Sequence, residues 1–180
     1  MNTHDIIIIL DESGSMSMIK DDVIDSINYF IDEQRKNNNN SKLSLWKFNS
    51  SVTKVYDDLL LKYITKFDNY IPSGKTCLFD AIGTAITKKR NKDNFKDVIC
   101  VIMTDGLENG SREYTKDNIN DMISEMKENN WVFIYLGANQ DSFSIAASYG
   151  ISQNLCANFE STGEGFTKIT RYASEKISNI

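Results

Sequence analysis

The stretch "DIIIILDESGS", residues 5–15, decides how the chain is read. Five apolar residues in succession, Ile6 to Leu10, alternate to neither face, so a strand made of them is apolar on both sides. That suits the interior of a parallel sheet covered by helices. The run stops abruptly at Asp11-Glu12, and serines follow at 13 and 15. Two further solid runs, "DVICVIMT" (97–104) and "WVFIYLGA" (131–138), read the same way, and the first of them also runs into an aspartate, Asp105.

Between these runs the period changes from strand to helix. Ile19, Val23, Ile27 and Phe30/Ile31 form one stripe, with Asp21, Asp22, Asp25 and Asp32 off it on the wet face. Leu78, Ala81, Ile82, Ala85 and Ile86 form a second, and Ile119, Met122, Ile123 and Met126 a third. Phe166, Ile169, Ala173 and Ile177 form the last. "KLSLWKF" (42–48) and "SVTKVY" (51–56) flank Asn49-Ser50, a hairpin turn that gives one antiparallel edge; "NLCANF" (154–159) ends the sheet. Trp46 and Trp131 fall within strand-like runs and read as core. The alternation predicts an α/β fold of three layers: a doubly wound, Rossmann-like, mostly parallel central sheet with one antiparallel edge strand and helices on both faces. The Asn37–Asn40 tract reads as a polar turn, no internal repeat is visible, and residues 1–180 are expected to form a single domain.

Composition narrows the functions. The 180 residues carry a formal net charge of -5 and a pI near 4.9, which argues against a general nucleic-acid binder. The first apolar run is too short to span a membrane and lacks a signal peptide's features, and nothing later is long enough either. Cys77, Cys100 and Cys156 form no paired spacing, as expected of reduced thiols in a cytoplasmic protein.

The chemistry lies at strand ends. Ligands of open parallel sheets bind beyond the carboxyl ends of the strands, where strand order reverses. If the strands ending at Asp11 and Asp105 are neighbours there, two carboxylates share one crevice and repel unless a cation lies between them. The further donors are the hydroxyls of Ser13, Ser15 and Thr76. Hard oxygen donors suit magnesium, manganese or calcium, while the lone His4 and scattered cysteines make no zinc set. Neutral hydroxyls would leave such an ion electrophilic, ready for a carboxylate from outside.

Asp11-Glu-Ser13-Gly-Ser15 resembles the DxSxS signature of the von Willebrand factor type A domain, whose metal-ion-dependent adhesion site adds a threonine from a middle loop and an aspartate from a later strand end. Thr76, in "SGKTCLFDAI", and Asp105, in "VIMTDG", stand in matching order, and the likeness runs from about residue 5 to 178. The resemblance implies that Ser13 and Ser15 coordinate the metal directly, Thr76 does so in the ligand-bound state, and Asp11 and Asp105 act mainly through waters. An acidic residue of a protein partner would complete the shell. It further implies magnesium, with manganese able to replace it in vitro, a non-enzymatic protein-binding function, and service as a component of larger complexes. A shift of the C-terminal helix, about 161–178, between weak and tight states is expected on the same analogy. Where relatives carry Gly-Gly-Thr or Gly-Ser-Thr this chain has Gly74-Lys75-Thr76, which adds a positive charge to the rim.

Rival readings concern the same residues. Gly74-Lys75-Thr76 is the tail of a phosphate-binding loop, but the glycine that GxxxxGK[ST] requires is Asn69 here and no convincing strand precedes it. A magnesium-dependent phosphatase using Asp11 as nucleophile would resemble the haloacid dehalogenase-like pattern hhhhDxDxT, whose second aspartate is replaced by Ser13. Magnesium-dependent phosphoryl transfer, as phosphatase or ATPase, is the alternative function. A serine triad is disfavoured because "SGSMS" is no GxSxG elbow. The serines of "DESGS" could merely cap a helix, and so could Thr76; Asp80 suits a helix dipole or a neighbouring loop backbone. Glu108 and Asn109 could shape the rim or be solvated loop.

Overall fold

The computed structural model describes residues 3–93, 95–139 and 141–180. Its centre is the run that opens the chain: strand β1 (Asp5–Asp11) has Ile6 to Leu10 buried, and the pleat sends alternate residues to opposite faces. Ile6, Ile8 and Leu10 enter one core, Ile7 and Ile9 the other. Strands β4 (Val98–Thr104) and β5 (Val132–Ala138) divide likewise, which is why these three segments need apolar residues at every position.

With β2 (Lys42–Phe48), β3 (Val52–Leu60) and β6 (Cys156–Phe159), the six strands lie in the order β3-β2-β1-β4-β5-β6. All neighbours are parallel except β2 and β3. Helices α1 (Lys20–Asn37) and α5 (Gly163–Ser178) supply the first core; α2 (Leu78–Arg90) and α3 (Lys116–Glu128) supply the second. A short helix α4 (Ser142–Ser148) adds Ala146 to the second core. The three-layer, doubly wound architecture expected from the alternating pattern is present. Among the described residues no helix is long and apolar enough to cross a membrane.

Three elements differ from expectation. Helix α4 spans seven residues, fewer than two full turns of apolar repeat can mark. The run "NLCANF" yields a strand only over its last four residues, Gln153 to Leu155 forming a 3-10 turn. Strand β3 runs on through Asp57-Asp58 to Leu60 because the ladder to β2 is irregular there, with register shifts between Leu43 and Trp46. Asp58, at φ 53°, donates its N–H to the Ser44 hydroxyl and turns its carboxylate to Lys89 at 2.9 Å. Lys89, its side chain 2% exposed, also pairs with Asp5 at 2.7 Å, so these charges close the end of the sheet opposite the crevice.

Helix α2 carries one glycine for lack of space. A β-carbon on Gly83 would lie 2.5 Å from ring atoms of Tyr114. Alanine favours helix over glycine by about 1 kcal/mol, whereas overpacking costs about 1–3 kcal/mol. Gly83→Ala is therefore expected to lose up to about 2 kcal/mol in urea denaturation; a gain would show that the ring moves freely.

Candidate metal centre

The chain leaves β1 toward β2 and β3 and returns on the other side as β4, so strand order reverses between β1 and β4. Leu10 pairs with Met103 across that junction, and the next residues of both strands emerge together at their carboxyl ends. There Asp11 and Asp105 project into one crevice, as required of a ligand site in such a sheet.

After Asp11 the chain does not enter α1 at once. Ser13 is extended (φ −68°, ψ 166°), and a 3-10 turn over Gly14–Ile19 intervenes. No side chain caps that turn or α1, so the helix-cap reading of the serines falls away and their hydroxyls serve the crevice. Ser13 Oγ lies 3.1 Å from Ser15 Oγ, and Ser15 Oγ donates to Asp105 Oδ1 at 2.7 Å. Asp11 accepts from the Ser13 N–H through Oδ1 and from the Thr104 hydroxyl through Oδ2, each at 2.7 Å. The Ser161 hydroxyl, from the turn ahead of α5, also interacts with Asp105. Asp11, Ser13, Thr76 and Asp105 are buried, while Ser15 is exposed at the mouth.

Thr76 enters from the third loop. Its N–H donates to Asn109 Oδ1 at 2.9 Å and its carbonyl accepts from the Asn109 N–H at 3.1 Å. Thr76 Oγ1 faces Gly106, at 3.5 Å from where a β-carbon would stand, so it joins the group beside Asp105 without bonding the carboxylate directly. Thr76 is not a helix cap either: Cys77 holds that position in α2.

The backbone here also answers the phosphate-loop question. Gly74 has φ +75°, and a β-carbon on it would lie 2.6 Å from Ser50 Oγ. The N–H groups of Lys75, Thr76 and Cys77 donate to Ser50 Oγ, Asn109 Oδ1 and the Asn49 carbonyl. A phosphate cradle needs those N–H groups turned toward the ligand. Here protein oxygens take all three.

Electrostatics sets the character of the crevice. Burial pushes Asp11 up to about 6, against the lowering effect of its Ser13 and Thr104 hydrogen bonds, and nearby Asp105 adds to the rise. Burial also raises Asp105. Among the described residues no lysine or arginine forms a salt bridge with either carboxylate. Two buried carboxylates beside three hydroxyls make an all-oxygen donor set that fits a hard divalent cation. Among the described residues no group of three His, Cys, Asp or Glu converges as a metal site, so any cation held here would depend on hydroxyls.

Several supporting residues escaped the sequence reading. Glu12, inside "DESGS", turns away to pair with buried Lys47 of β2 at 2.9 Å and accepts the Ile71 N–H at 2.6 Å. Lys47 also donates to the Asn69 carbonyl at 2.7 Å. Tyr70 donates its hydroxyl to the Asp11 carbonyl at 2.5 Å. A lysine within the apolar run 42–48 was a readable signal for the first pair; nothing marked Tyr70. Glu108 accepts from the N–H groups of Phe79, Gly110 and Ser111, tying the Asp105 loop to the start of α2. Asp80 accepts from the N–H groups of Arg112, Glu113 and Tyr114, which is the loop-backbone role. Cys77 is buried with its thiol pushed up by desolvation, unsuited to act as a nucleophile.

A family model described as the von Willebrand factor type A domain matches residues 5–144. Solved structures share the fold at low identity. Proximal thread matrix protein 1 from the mussel byssus, with a zinc-occupied MIDAS motif, superposes with a TM-score of 0.70 at 16% identity, covering 98% of this chain and 46% of that one. The chain thus spans about half the length of the mussel protein. The SpRpn10 VWA domain gives 0.65 at 14% identity over 95% of both chains. Manganese-loaded TRAP protein of Plasmodium vivax gives 0.61 at 15% identity, over 98% of this chain and 73% of that one. No curated protein sequence matches the chain.

Proposed function

The chain belongs to the von Willebrand factor type A domain family, and from that premise we propose that residues 1–180 act as one divalent-metal-dependent protein-binding domain without catalytic activity. Ser13, Ser15 and Thr76 would hold a magnesium-type ion through hydroxyls, with Asp11 and Asp105 contributing negative charge beside it. Manganese would replace magnesium in vitro. When bound, the ion supplies an electrophilic centre with room for an Asp or Glu carboxylate of a partner protein. The chain's own part is to hold five oxygen-bearing side chains ready, to keep opposing cations out of the crevice, and to leave Ser15 open to the partner.

The observation that carries this reading is the continuous line from Ser13 through Ser15 to Asp105, beside buried Asp11, with no basic side chain among them. Two related folds, from the mussel byssus and Plasmodium vivax, are named for the zinc and manganese they hold, which favours a divalent ion here. Phosphoryl transfer gains nothing from the geometry, since the N–H groups of residues 75–77 are already bonded. Buried, free cysteines suit a reducing compartment, so we place the domain in the cytoplasm, serving as the recognition part of a larger assembly.

Manganese titration followed by electron paramagnetic resonance tests the ligand set. Ser13→Ala and Ser15→Ala are each expected to weaken binding tenfold or more while circular dichroism stays unchanged, and acetate should perturb the bound-ion spectrum of the wild type only. Equal manganese affinity in all three proteins would contradict the proposal.

A further inference from the structure

Asn109-Gly110 is the single Asn-Gly step in the chain. It lies between β4 and α3, in a stretch with neither helix nor strand, and Asn109 is exposed. In such a step the glycine nitrogen can close a ring on the asparagine side-chain carbon, because the following residue has no β-carbon to block the approach. Space keeps the glycine here. A β-carbon on Gly110 would lie 2.8 Å from Cys77 Sγ and 3.1 Å from Lys75 Cβ. Alanine would clash, so the reactive step is built into the loop.

The surroundings supply what ring closure needs. Glu108 Oε1 accepts the Gly110 N–H at 2.7 Å and stands where the proton of the attacking nitrogen must go. On the other side the Thr76 N–H donates to Asn109 Oδ1 at 2.9 Å, placed to stabilise the oxyanion that forms there. Nucleophile and carbon belong to one chain, so the step needs no encounter. We propose that Asn109 is a self-modifying site, at which the fold promotes cyclisation onto Gly110 and hydrolysis to aspartate and isoaspartate. The Gly110 nitrogen gives its proton to Glu108 and bonds Asn109 Cγ. The Cγ–Nδ2 bond breaks, and Nδ2 takes that proton and leaves as ammonia. Water then opens the imide. Cleavage of the new N–Cγ bond yields aspartate; cleavage of the bond to the main-chain carbonyl carbon yields isoaspartate, and nothing is oxidised or reduced. Either product sets a carboxylate against the Thr76 loop, which Asn109 holds by its own N–H as well as its side chain. The consequence for an ion at Thr76 rests on the metal-bridged reading of the centre; the modification does not.

The test incubates the full chain at neutral pH for several days, folded or in urea. Mass spectrometry follows the tryptic peptide 97–112, whose single asparagine is Asn109. The folded chain is expected to gain the mass of amide-to-acid exchange several-fold faster than the chain in urea, and the peptide to split into two chromatographic forms. Glu108→Gln, whose amide oxygen can still accept the Gly110 N–H, should slow the folded chain to the rate in urea or below. Equal or slower conversion of the folded wild type would show that the fold gives Asn109 no help, and would overturn the proposal. An unchanged rate in folded Glu108→Gln would overturn it too. Magnesium titration reads the consequence separately: Asn109→Asp should bind magnesium several-fold tighter, because it adds a negative charge beside the centre. Equal affinity overturns that effect. No magnesium binding by fresh wild type would count against the metal-bridged reading instead, while the mass and rate comparison still decides the modification.

Discussion

Lys47→Met is expected to lower the unfolding free energy by about 3–5 kcal/mol, the usual cost of removing one partner of a buried ion pair. Both side chains of the Lys47–Glu12 pair are under 10% exposed, so solvent cannot take over the stranded carboxylate. The same change orphans the Asn69 carbonyl and loosens the loops at 12–15 and 69–74 that Glu12 joins. The companion Glu12→Gln/Lys47→Met should recover most of the loss, because no net charge is then buried. Urea denaturation of the two variants decides the point. Equal losses in both would mean that the pair acts through packing alone.

The second large effect concerns pH. Asp11 titrates near 6 in the fold, against about 3.9 for a free aspartate. Between those values the native state binds more protons than the unfolded chain, so unfolding free energy falls as pH rises through that window. Above pH 6 the ionised carboxylate costs up to about 3 kcal/mol. In chelator-treated protein, Asp11→Asn is therefore expected to be the more stable form at neutral pH. The gap should close as pH falls to 4, where the wild-type carboxyl is already neutral. The amide can keep both contacts, since the Thr104 hydroxyl has a second acceptor in the Gly106 carbonyl at 3.0 Å. Saturating magnesium should reverse the ranking at neutral pH, because an ion bound only to the native wild type adds stability. A pH-independent difference between the two proteins would show that burial does not strain Asp11.

The two effects share a physical origin that also explains what the sequence revealed. Strands β1, β4 and β5 were legible because burial on both faces demands apolar residues at every position, a pattern that few other structures require. The neighbouring strand ends were legible too: Asp11 and Asp105 interrupt those runs abruptly, and topology brings them together. Helix α4 and the tail of β3 were not. Seven residues hold too little periodicity, and Asp57-Asp58 belong to the strand only because a bulge turns Asp58 toward Lys89. The supporting residues of the site resisted reading for another reason. Glu12 looks like a rim carboxylate until Lys47, 35 residues away, is seen beneath it, and the Tyr70 hydroxyl meets Asp11 across 59 residues. Such contacts are fixed by the packed fold, and no local spacing encodes them.

What separates a working metal centre from an inherited scaffold is whether the five side chains bind an ion at all. Calorimetric titration of chelator-treated protein with magnesium, beside Asp105→Ala, reads this directly. The variant loses the carboxylate that Ser15 bonds and keeps a position that is not part of either apolar core. The expected result is one-site binding by the wild type and none by a variant with the same circular dichroism spectrum. Equal binding by both, or no binding by the folded wild type even with acetate present to complete the shell, would contradict the metal-dependent reading.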